Sequence, residues 1–163
     1  MKKKFLLAAG LATALGAALH FLYDAAPNPL TALVSPVNES VWEHLKLLFW
    51  PMLLTAVWLA RSAPDASAFW SGIFTAELAM PLFLLGAYYL LKCGFGVVSL
   101  PLDIALYVVT MALGFWLAYR VCQSGKLAKA AGWLILPVIF YGASLLLFTF
   151  AAPPLAVFQP PAE

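Results

Sequence analysis

The sequence carries very little charge. Only 10% of its 163 residues are Asp, Glu, Lys or Arg, whereas soluble domains usually carry about 25%. So few charges could not cover a water-facing surface, and 64% of the residues are hydrophobic. The basic residues form no stripe along a helix, so we expect no nucleic-acid partner. The composition instead predicts one integral membrane domain over residues 1–163, with the lipid bilayer as its main partner.

Cysteine is also scarce, with two residues in the chain. Cys93 and Cys122 fit neither a CxxC motif nor the spacing of a zinc site, and they bracket one hydrophobic segment. If that segment crosses a membrane, their Cα atoms lie far beyond the limit of about 7 Å for a disulfide. We therefore interpret both as ordinary small residues of membrane helices.

Five apolar stretches are long enough to cross the hydrocarbon core as helices, which takes about 20 residues. They are residues 5–23, 41–60, 69–91, 102–119 and 128–150. None alternates with a period of two, as the strands of a membrane barrel do. Because lipid tolerates only helices or closed barrels, the sequence predicts an all-α, polytopic transmembrane helical bundle with about five spans.

The basic residues predict the orientation of this bundle. With the N-terminus inside, all Lys and Arg except Lys46 and Lys92 fall on the cytoplasmic side, as the positive-inside rule requires. We therefore expect the N-terminus inside and the C-terminus outside. The first segment follows three lysines and also resembles a signal peptide, but its apolar run is longer than usual, which favours its retention.

In this topology the ionisable residues gather at the outer ends of three helices. His20 and Asp24 close the first segment, and Asp103 opens the fourth. The start of the second segment carries Asn38, Glu39, Ser40, Glu43, His44 and Lys46. Helical spacing would place Glu39, Glu43 and Lys46 on one stripe. Because ionisable groups in membranes usually face the bundle interior or water, we expect one shared site that faces the outer side.

Helix capping is a plainer interpretation of part of this set. Asn38 or Ser40 could cap the second helix, and Lys46 could extend its ammonium group to the membrane surface. Capping does not account for His44 or Asp103.

Glu77 stands apart from that set, well inside the third segment. We expect its side chain to be neutral or to have a partner within the bundle, because burial disfavours the charged form. Pro81 leaves the carbonyl group of Glu77 without its helical partner. Pro51 and Pro137 interrupt the second and fifth helices in the same way, and kinks at these points could open a cavity.

The run Pro36-Val-Asn-Glu-Ser-Val-Trp-Glu-His-Leu-Lys46 resembles the signature of a family of small bacterial membrane proteins of uncharacterised function. His20-Phe-Leu-Tyr-Asp24 and Asp103-Ile-Ala-Leu-Tyr resemble two weaker motifs of that family. The resemblance covers most of the chain and implies a bacterial cytoplasmic (inner) membrane, but no activity. It implies that the characteristic residues are His20, Asn38, Glu39, Ser40, Glu43, His44, Lys46 and Asp103.

The first functional hypothesis is a membrane-embedded enzyme or metal-binding protein. His20, His44, Glu39 and Asp103 could bind a divalent metal such as zinc. Such a metal would activate a bound water and permit hydrolysis of a lipid or lipid-linked substrate. The candidate catalytic residues are Ser40, Glu43 and His44, of which Glu43 and His44 could serve as general acid and base.

Three other classes remain open. A transporter or channel component would use Glu77 as a proton or cation site below an outer vestibule, and would need a homo-oligomer because five helices make a thin wall. A b-type haem protein would use His20 and His44 as axial ligands. An accessory structural subunit would use the polar motif as a docking surface.

Overall fold

The computed structural model describes residues 1–161, which fold into helices, turns and loops without a strand. The α-helices of this part are α1 (Lys2–His20), α2 (Leu22–Ala25), α3 (Pro29–Val34), α4 (Val41–His44), α5 (Lys46–Ala60), α6 (Ala66–Tyr89), α7 (Leu100–Ser124) and α8 (Ala131–Phe150). A π-helical turn, Leu90–Gly94, extends α6, and a 3-10 turn, Ala128–Ala130, precedes α8. The expected all-α fold is confirmed, and the C-terminal residue, expected outside, lies beyond the described residues.

Three helical segments within residues 1–161 are long and apolar enough to cross a membrane. They are Ala66–Gly94, Leu100–Ser124 and Ala128–Phe150, and they match the last three predicted spans. The first two predicted spans are helical but shorter or less apolar. Helix α1 begins with three lysines, and residues 41–60 are divided between α4 and α5.

Leu45 joins α4 to α5 without breaking the helical direction of the chain. Its backbone is α-helical, with φ −62° and ψ −25°, and its N–H donates to the carbonyl oxygen of Trp42 at 3.1 Å. Its own carbonyl oxygen accepts from the N–H groups of Leu48 and Phe49, both at 3.1 Å. Residues 41–60 therefore form one helical element with a tightened turn at Leu45.

Glycine allows the helices to approach one another closely. A Cβ atom on Gly72 of α6 would lie 2.5 Å from the carbonyl oxygen of Ala118 in α7, and one on Gly16 of α1 would lie 2.7 Å from that of Leu47 in α5. Small residues at such contacts are typical of membrane helix packing. The core between the helices includes the fully buried side chains of Met52, Ile73, Met80, Met111 and Phe115.

The outer faces of α7 and α8 are strongly apolar. In the most apolar 18-residue stretch of each helical segment, only 22% of the residues for α7 and 17% for α8 are buried within the bundle. The large side chains that remain exposed include Val108, Leu113, Trp116, Trp133, Phe140 and Phe150. So many exposed large apolar side chains need lipid or another apolar partner, so the structure supports a membrane protein.

One end of the bundle collects the elements that carry most of the polar residues. The end of α1 approaches the end of α4 through His20 and His44, and the last turn of α8 reaches Glu43 through Thr149. Beyond α8 the chain folds back, and the ring of Phe158 packs on Trp42 with centroids 4.8 Å apart. This polar end is the one predicted to face outward.

Candidate metal centre

Three side chains from separate segments converge on one point. The Nε2 atoms of His20 and His44 lie 3.1 Å apart. Oε2 of Glu39 lies 3.4 Å from Nε2 of His44 and 3.9 Å from Nε2 of His20. His20 ends α1, His44 ends α4, and Glu39 belongs to the segment that precedes α4. Within residues 1–161, this is the group of three histidine, cysteine or carboxylate side chains placed to hold a metal ion.

The separations are close to those expected between ligands of one small divalent ion. In a tetrahedral zinc site with bonds of about 2.0 to 2.2 Å, ligand atoms lie about 3.3 to 3.6 Å apart. The observed distances of 3.1, 3.4 and 3.9 Å scatter around that range. Two imidazole nitrogens and one carboxylate oxygen are also a common zinc ligand set. These three residues could therefore bind zinc or a similar ion.

A backbone contact fixes the tautomer of His44. Its Nδ1 lies 2.8 Å from the carbonyl oxygen of Ser40, and because a carbonyl oxygen only accepts, Nδ1 must carry the hydrogen. In the neutral ring Nε2 then presents its lone pair to His20 and Glu39. Metal-binding histidines commonly use a carbonyl oxygen in this way, and the contact also fixes the orientation of the ring.

The facing nitrogens restrict what can lie between the two rings. Two lone pairs 3.1 Å apart would repel each other, so either His20 Nε2 carries a hydrogen or a cation lies between the rings. In both cases Nδ1 of His20 is buried without a hydrogen-bond partner among residues 1–161. The histidine pair therefore needs either a shared hydrogen or a metal ion.

The cluster is open on one side. The side chains of His20 and His44 are 29% and 28% exposed, and that of Glu39 is 67% exposed. The aromatic ring of Phe21 is also exposed, and its centroid lies 5.0 Å from that of His20. Three protein ligands with an open position are characteristic of catalytic zinc sites, whereas structural sites use four.

Glu43 takes part in a separate, buried ion pair. Its Oε2 accepts hydrogen bonds from Lys46 Nζ at 2.6 Å and from the N–H of Val37 at 3.0 Å. Its Oε1 accepts from the hydroxyl group of Thr149 at 3.1 Å. Both oxygens are thus occupied, and Glu43 is not a member of the His20–Glu39–His44 cluster. The expected convergence of Glu43 with the histidines is therefore not found.

The start of α4 also differs from the expected stripe of Glu39, Glu43 and Lys46. Helix α4 begins only at Val41, so Glu39 lies before it. Ser40 is the N-cap residue, and its hydroxyl group accepts from the N–H of Glu43 at 3.3 Å. Asn38 Oδ1 in turn accepts from the N–H of Ser40 at 2.8 Å. Capping thus describes Ser40 correctly, and the non-helical backbone at Glu39 lets its carboxylate approach the histidines.

Two other predicted site residues, Asp24 and Asp103, lie outside the His20–Glu39–His44 cluster. Asp24 is exposed in α2, beyond the end of α1, so it does not share a helical face with His20. Asp103 is exposed in the first turn of α7. Neither contributes a ligand atom to the cluster.

Glu77 is fully buried in α6 and is not a member of the His20–Glu39–His44 cluster. Neither of its carboxylate oxygens has a hydrogen-bond partner within residues 1–161, and the hydroxyl group of Tyr141 in α8 is unpartnered in the same way. An unpaired charge would be very costly there, so the neutral side chain expected from the sequence is the form compatible with this position.

Ser35 and Thr149 were not predicted from the sequence. The hydroxyl group of Ser35 is fully buried, donates to the carbonyl oxygen of Leu19 at 2.6 Å and accepts from the N–H of Tyr23 at 3.0 Å. Thr149 lies in the last turn of α8 and contacts Glu43. Ser35 directly precedes the Pro36–Lys46 run, which is the signal that could have drawn attention to it.

Of the comparisons with known proteins, the comparison with family models gives a match. A family model matches residues 1–162. The chain belongs to DUF6512, a family of unknown function. No curated protein and no solved structure matches the chain. The DUF6512 family therefore supports the expectation of an uncharacterised family, and any function must be argued from the site itself.

Proposed function

We propose that this protein is a membrane-embedded metal-dependent hydrolase that acts on a lipid or lipid-linked substrate. The proposal includes five spans in a bacterial cytoplasmic membrane, with the metal centre facing outward. One observation carries it: His20, Glu39 and His44 direct two nitrogens and one carboxylate oxygen at a common point. Zinc is the preferred ion because this ligand set and spacing suit it.

Each ligand has a distinct role in this proposal. His44 offers its Nε2 lone pair because Ser40 holds the hydrogen on Nδ1. His20 completes the nitrogen pair, and Glu39 supplies a negative charge that offsets that of the ion. A divalent ion held by these three residues would supply Lewis acidity and would activate water at its open position. The exposed side of the cluster gives substrate access to that position.

The position of the site favours a lipid substrate. The metal cluster lies at an end of helices whose outer faces are apolar, next to the exposed ring of Phe21. A substrate with a polar head and an apolar tail could place its head at the metal and its tail along those faces. Such amphipathic substrates are concentrated at the membrane surface, where ionisable residues at helix ends are hydrated.

The spacing of the histidines argues against the haem alternative. Axial ligands lie on opposite sides of the iron, so two metal–nitrogen bonds of about 2.0 Å would separate their nitrogens by about 4 Å. The Nε2 atoms of His20 and His44 are only 3.1 Å apart, and Glu39 approaches both. This arrangement suits neighbouring ligands of one ion better than opposite ligands of a haem.

A transporter component is the second candidate, favoured by Glu77. A buried, unpartnered carboxyl group within a membrane helix is a common feature of proton and cation pathways. In that case the metal cluster would be the outer entrance of a pathway, and uptake of ions by vesicles containing the purified protein would be the relevant activity. Substitution of Glu77 by Gln should then abolish transport without affecting metal binding.

The test uses purified protein stripped of metal with a chelator and reloaded with zinc. We expect about one zinc per chain, and in vesicles made from a bacterial lipid extract we expect zinc-dependent hydrolysis products detected by mass spectrometry. His44→Ala should lose both the zinc and the products, whereas Asp24→Asn, a change in an exposed residue outside the His20–Glu39–His44 cluster, should keep them. Zinc binding without hydrolysis would contradict the hydrolase, and absence of bound zinc would contradict the metal centre.

A further inference from the structure

Lys46 is a fully buried lysine that binds both the end of α3 and the carboxylate of Glu43 in α4. Its Nζ donates to the carbonyl oxygen of Ala32 at 2.7 Å, to that of Ser35 at 3.3 Å and to Oε2 of Glu43 at 2.6 Å. An ammonium group has three hydrogens, so each of them has an acceptor here. The sequence had suggested that Lys46 could extend its ammonium group to the membrane surface. The structure shows otherwise, because the exposed fraction of Lys46 is 0%.

The contacts of Lys46 lead to each of the three segments that carry metal ligands. Through Glu43, which also accepts from the N–H of Val37, they fix the segment that carries Glu39. Through Ser35 they reach the end of α1, because the hydroxyl group of Ser35 donates to the carbonyl oxygen of Leu19. The residue after Leu19 is His20.

The third segment, residues 41–60, carries the ligand His44 and contains both Lys46 and its partner Glu43. Glu43 precedes His44 in α4, and its N–H is capped by the hydroxyl group of Ser40, whose carbonyl oxygen orients the His44 ring. The buried pair of Glu43 and Lys46 therefore joins α4, which ends at His44, to the start of α5. Thr149 adds a contact from α8, which carries no ligand.

We infer that Lys46, Glu43 and Ser35 are positioning residues of the metal centre, which hold its three ligand segments in register before the ion binds. This inference rests on the proposed metal-binding function. It assigns Glu43 to positioning, in place of the acid–base role suggested by the sequence. The segment with Glu39 is the one most in need of such support, because the Glu39 side chain is 67% exposed and lies outside any helix.

The expected effect follows from the general behaviour of groups that orient metal ligands. Their removal typically weakens metal binding about 10- to 100-fold, because the ligands must then be ordered by the metal itself. Ser35→Ala should cause such a loss although Ser35 is no ligand, and Lys46→Met should cause one at least as large. Ser71→Ala is the matched control, because Ser71 is equally buried and its hydroxyl group bonds only within its own helix, to the carbonyl oxygen of Ala68.

The experiment is a titration of the metal-free full-length protein in detergent with cobalt(II), whose visible absorption reports the coordination geometry. For the wild type and Ser71→Ala we expect the same affinity and the intense bands of a four-coordinate site. For Ser35→Ala and Lys46→Met we expect weaker binding and weaker bands, in preparations with unchanged helix content by circular dichroism. If Lys46→Met does not fold, Ser35→Ala alone decides the question.

The possible failures are distinguishable. If the wild type binds cobalt and Ser35→Ala keeps both its affinity and its spectrum, the positioning inference is wrong while the metal centre stands. If the wild type binds no cobalt, the metal centre and the inference both fail. A loss in Ser35→Ala equal to that in Ser71→Ala would also contradict the inference, because it would reflect general destabilisation of the bundle.

Discussion

Lys46 and Glu43 place opposite charges where solvent hardly reaches, with side chains 0% and 3% exposed. Such a pair is costly to desolvate, and it persists only when its remaining hydrogen-bonding groups also find partners. Here two backbone carbonyl groups, one N–H group and one hydroxyl group provide them. The stability of the polar end of the bundle should therefore depend on keeping both partners together.

At this scale we expect Lys46→Met to lower the free energy of unfolding by about 3 to 5 kcal/mol, because it leaves the carboxylate of Glu43 buried and unpaired. The double variant Glu43→Gln/Lys46→Met should lose less than Lys46→Met, since no buried charge remains. Reversible denaturant unfolding in detergent measures both. A single variant that costs less than the double variant would mean that Glu43 is hydrated.

The residues of the candidate metal centre were easier to predict from the sequence than the residues around them. His20, Glu39 and His44 were expected at one end of the bundle because three helix ends share one depth, and that end is where they meet. The buried pairing of Glu43 with Lys46 was not expected. Helical spacing predicts which residues share one face of a helix, but not which segment of the chain packs against that face. The covering segment is α3 and the loop after it, whose position depends on tertiary packing.

At the scale of elements, α6 is held against α7 by a close backbone contact. Gly72→Ala would place a Cβ 2.5 Å from the carbonyl oxygen of Ala118, so we expect a loss of about 1 to 3 kcal/mol from overpacking. Gly86→Ala in the same helix meets nothing within 4 Å, and it should be neutral or stabilising by up to about 1 kcal/mol. Thermal unfolding of the two variants side by side makes the comparison, and equal effects would contradict the close contact.

Helix α6 also carries Glu77, for which two substitutions give opposite expectations. Glu77→Gln keeps the size and polarity of a neutral carboxyl group, so expression and thermal stability should be nearly unchanged. Glu77→Lys should be harmful, by about 3 kcal/mol on membrane insertion scales, because the site is fully buried. The amount of protein in the membrane fraction reports both. Equal tolerance of lysine and glutamine would show that Glu77 faces water.

The elements were predicted from the sequence more completely than their ends. All five apolar stretches are helical, but α1 stops at His20 instead of continuing to residue 23, and α4 and α5 meet at Leu45. The early stop follows from the hydrogen bonds of Ser35 to Leu19 and Tyr23. Contacts between residues distant in sequence cannot be read from periodicity, which is why these ends were missed.

At the scale of the whole molecule, the central question is which segments cross the bilayer. A reporter active only in the cytoplasm should be active when fused after Ser62 and silent when fused after Glu163. The reverse pattern would move the polar end to the cytoplasm.

To distinguish five spans from three, Asn28→Cys in a Cys93→Ala background should react with a membrane-impermeant thiol reagent added outside. Reaction only after the membrane is opened would contradict the first two spans.

X-ray absorption at the zinc edge of the reloaded protein tests the metal centre most directly. We expect only nitrogen and oxygen neighbours, at about 2.0 to 2.2 Å, with the outer-shell scattering of two imidazole rings. His44→Ala, which should not hold zinc, should give no such spectrum. The exposed thiol of Cys93 is the competing ligand in the described chain. A sulfur neighbour at about 2.3 Å, or a zinc spectrum unchanged in His44→Ala, would contradict the assignment of His20, Glu39 and His44 as the metal ligands.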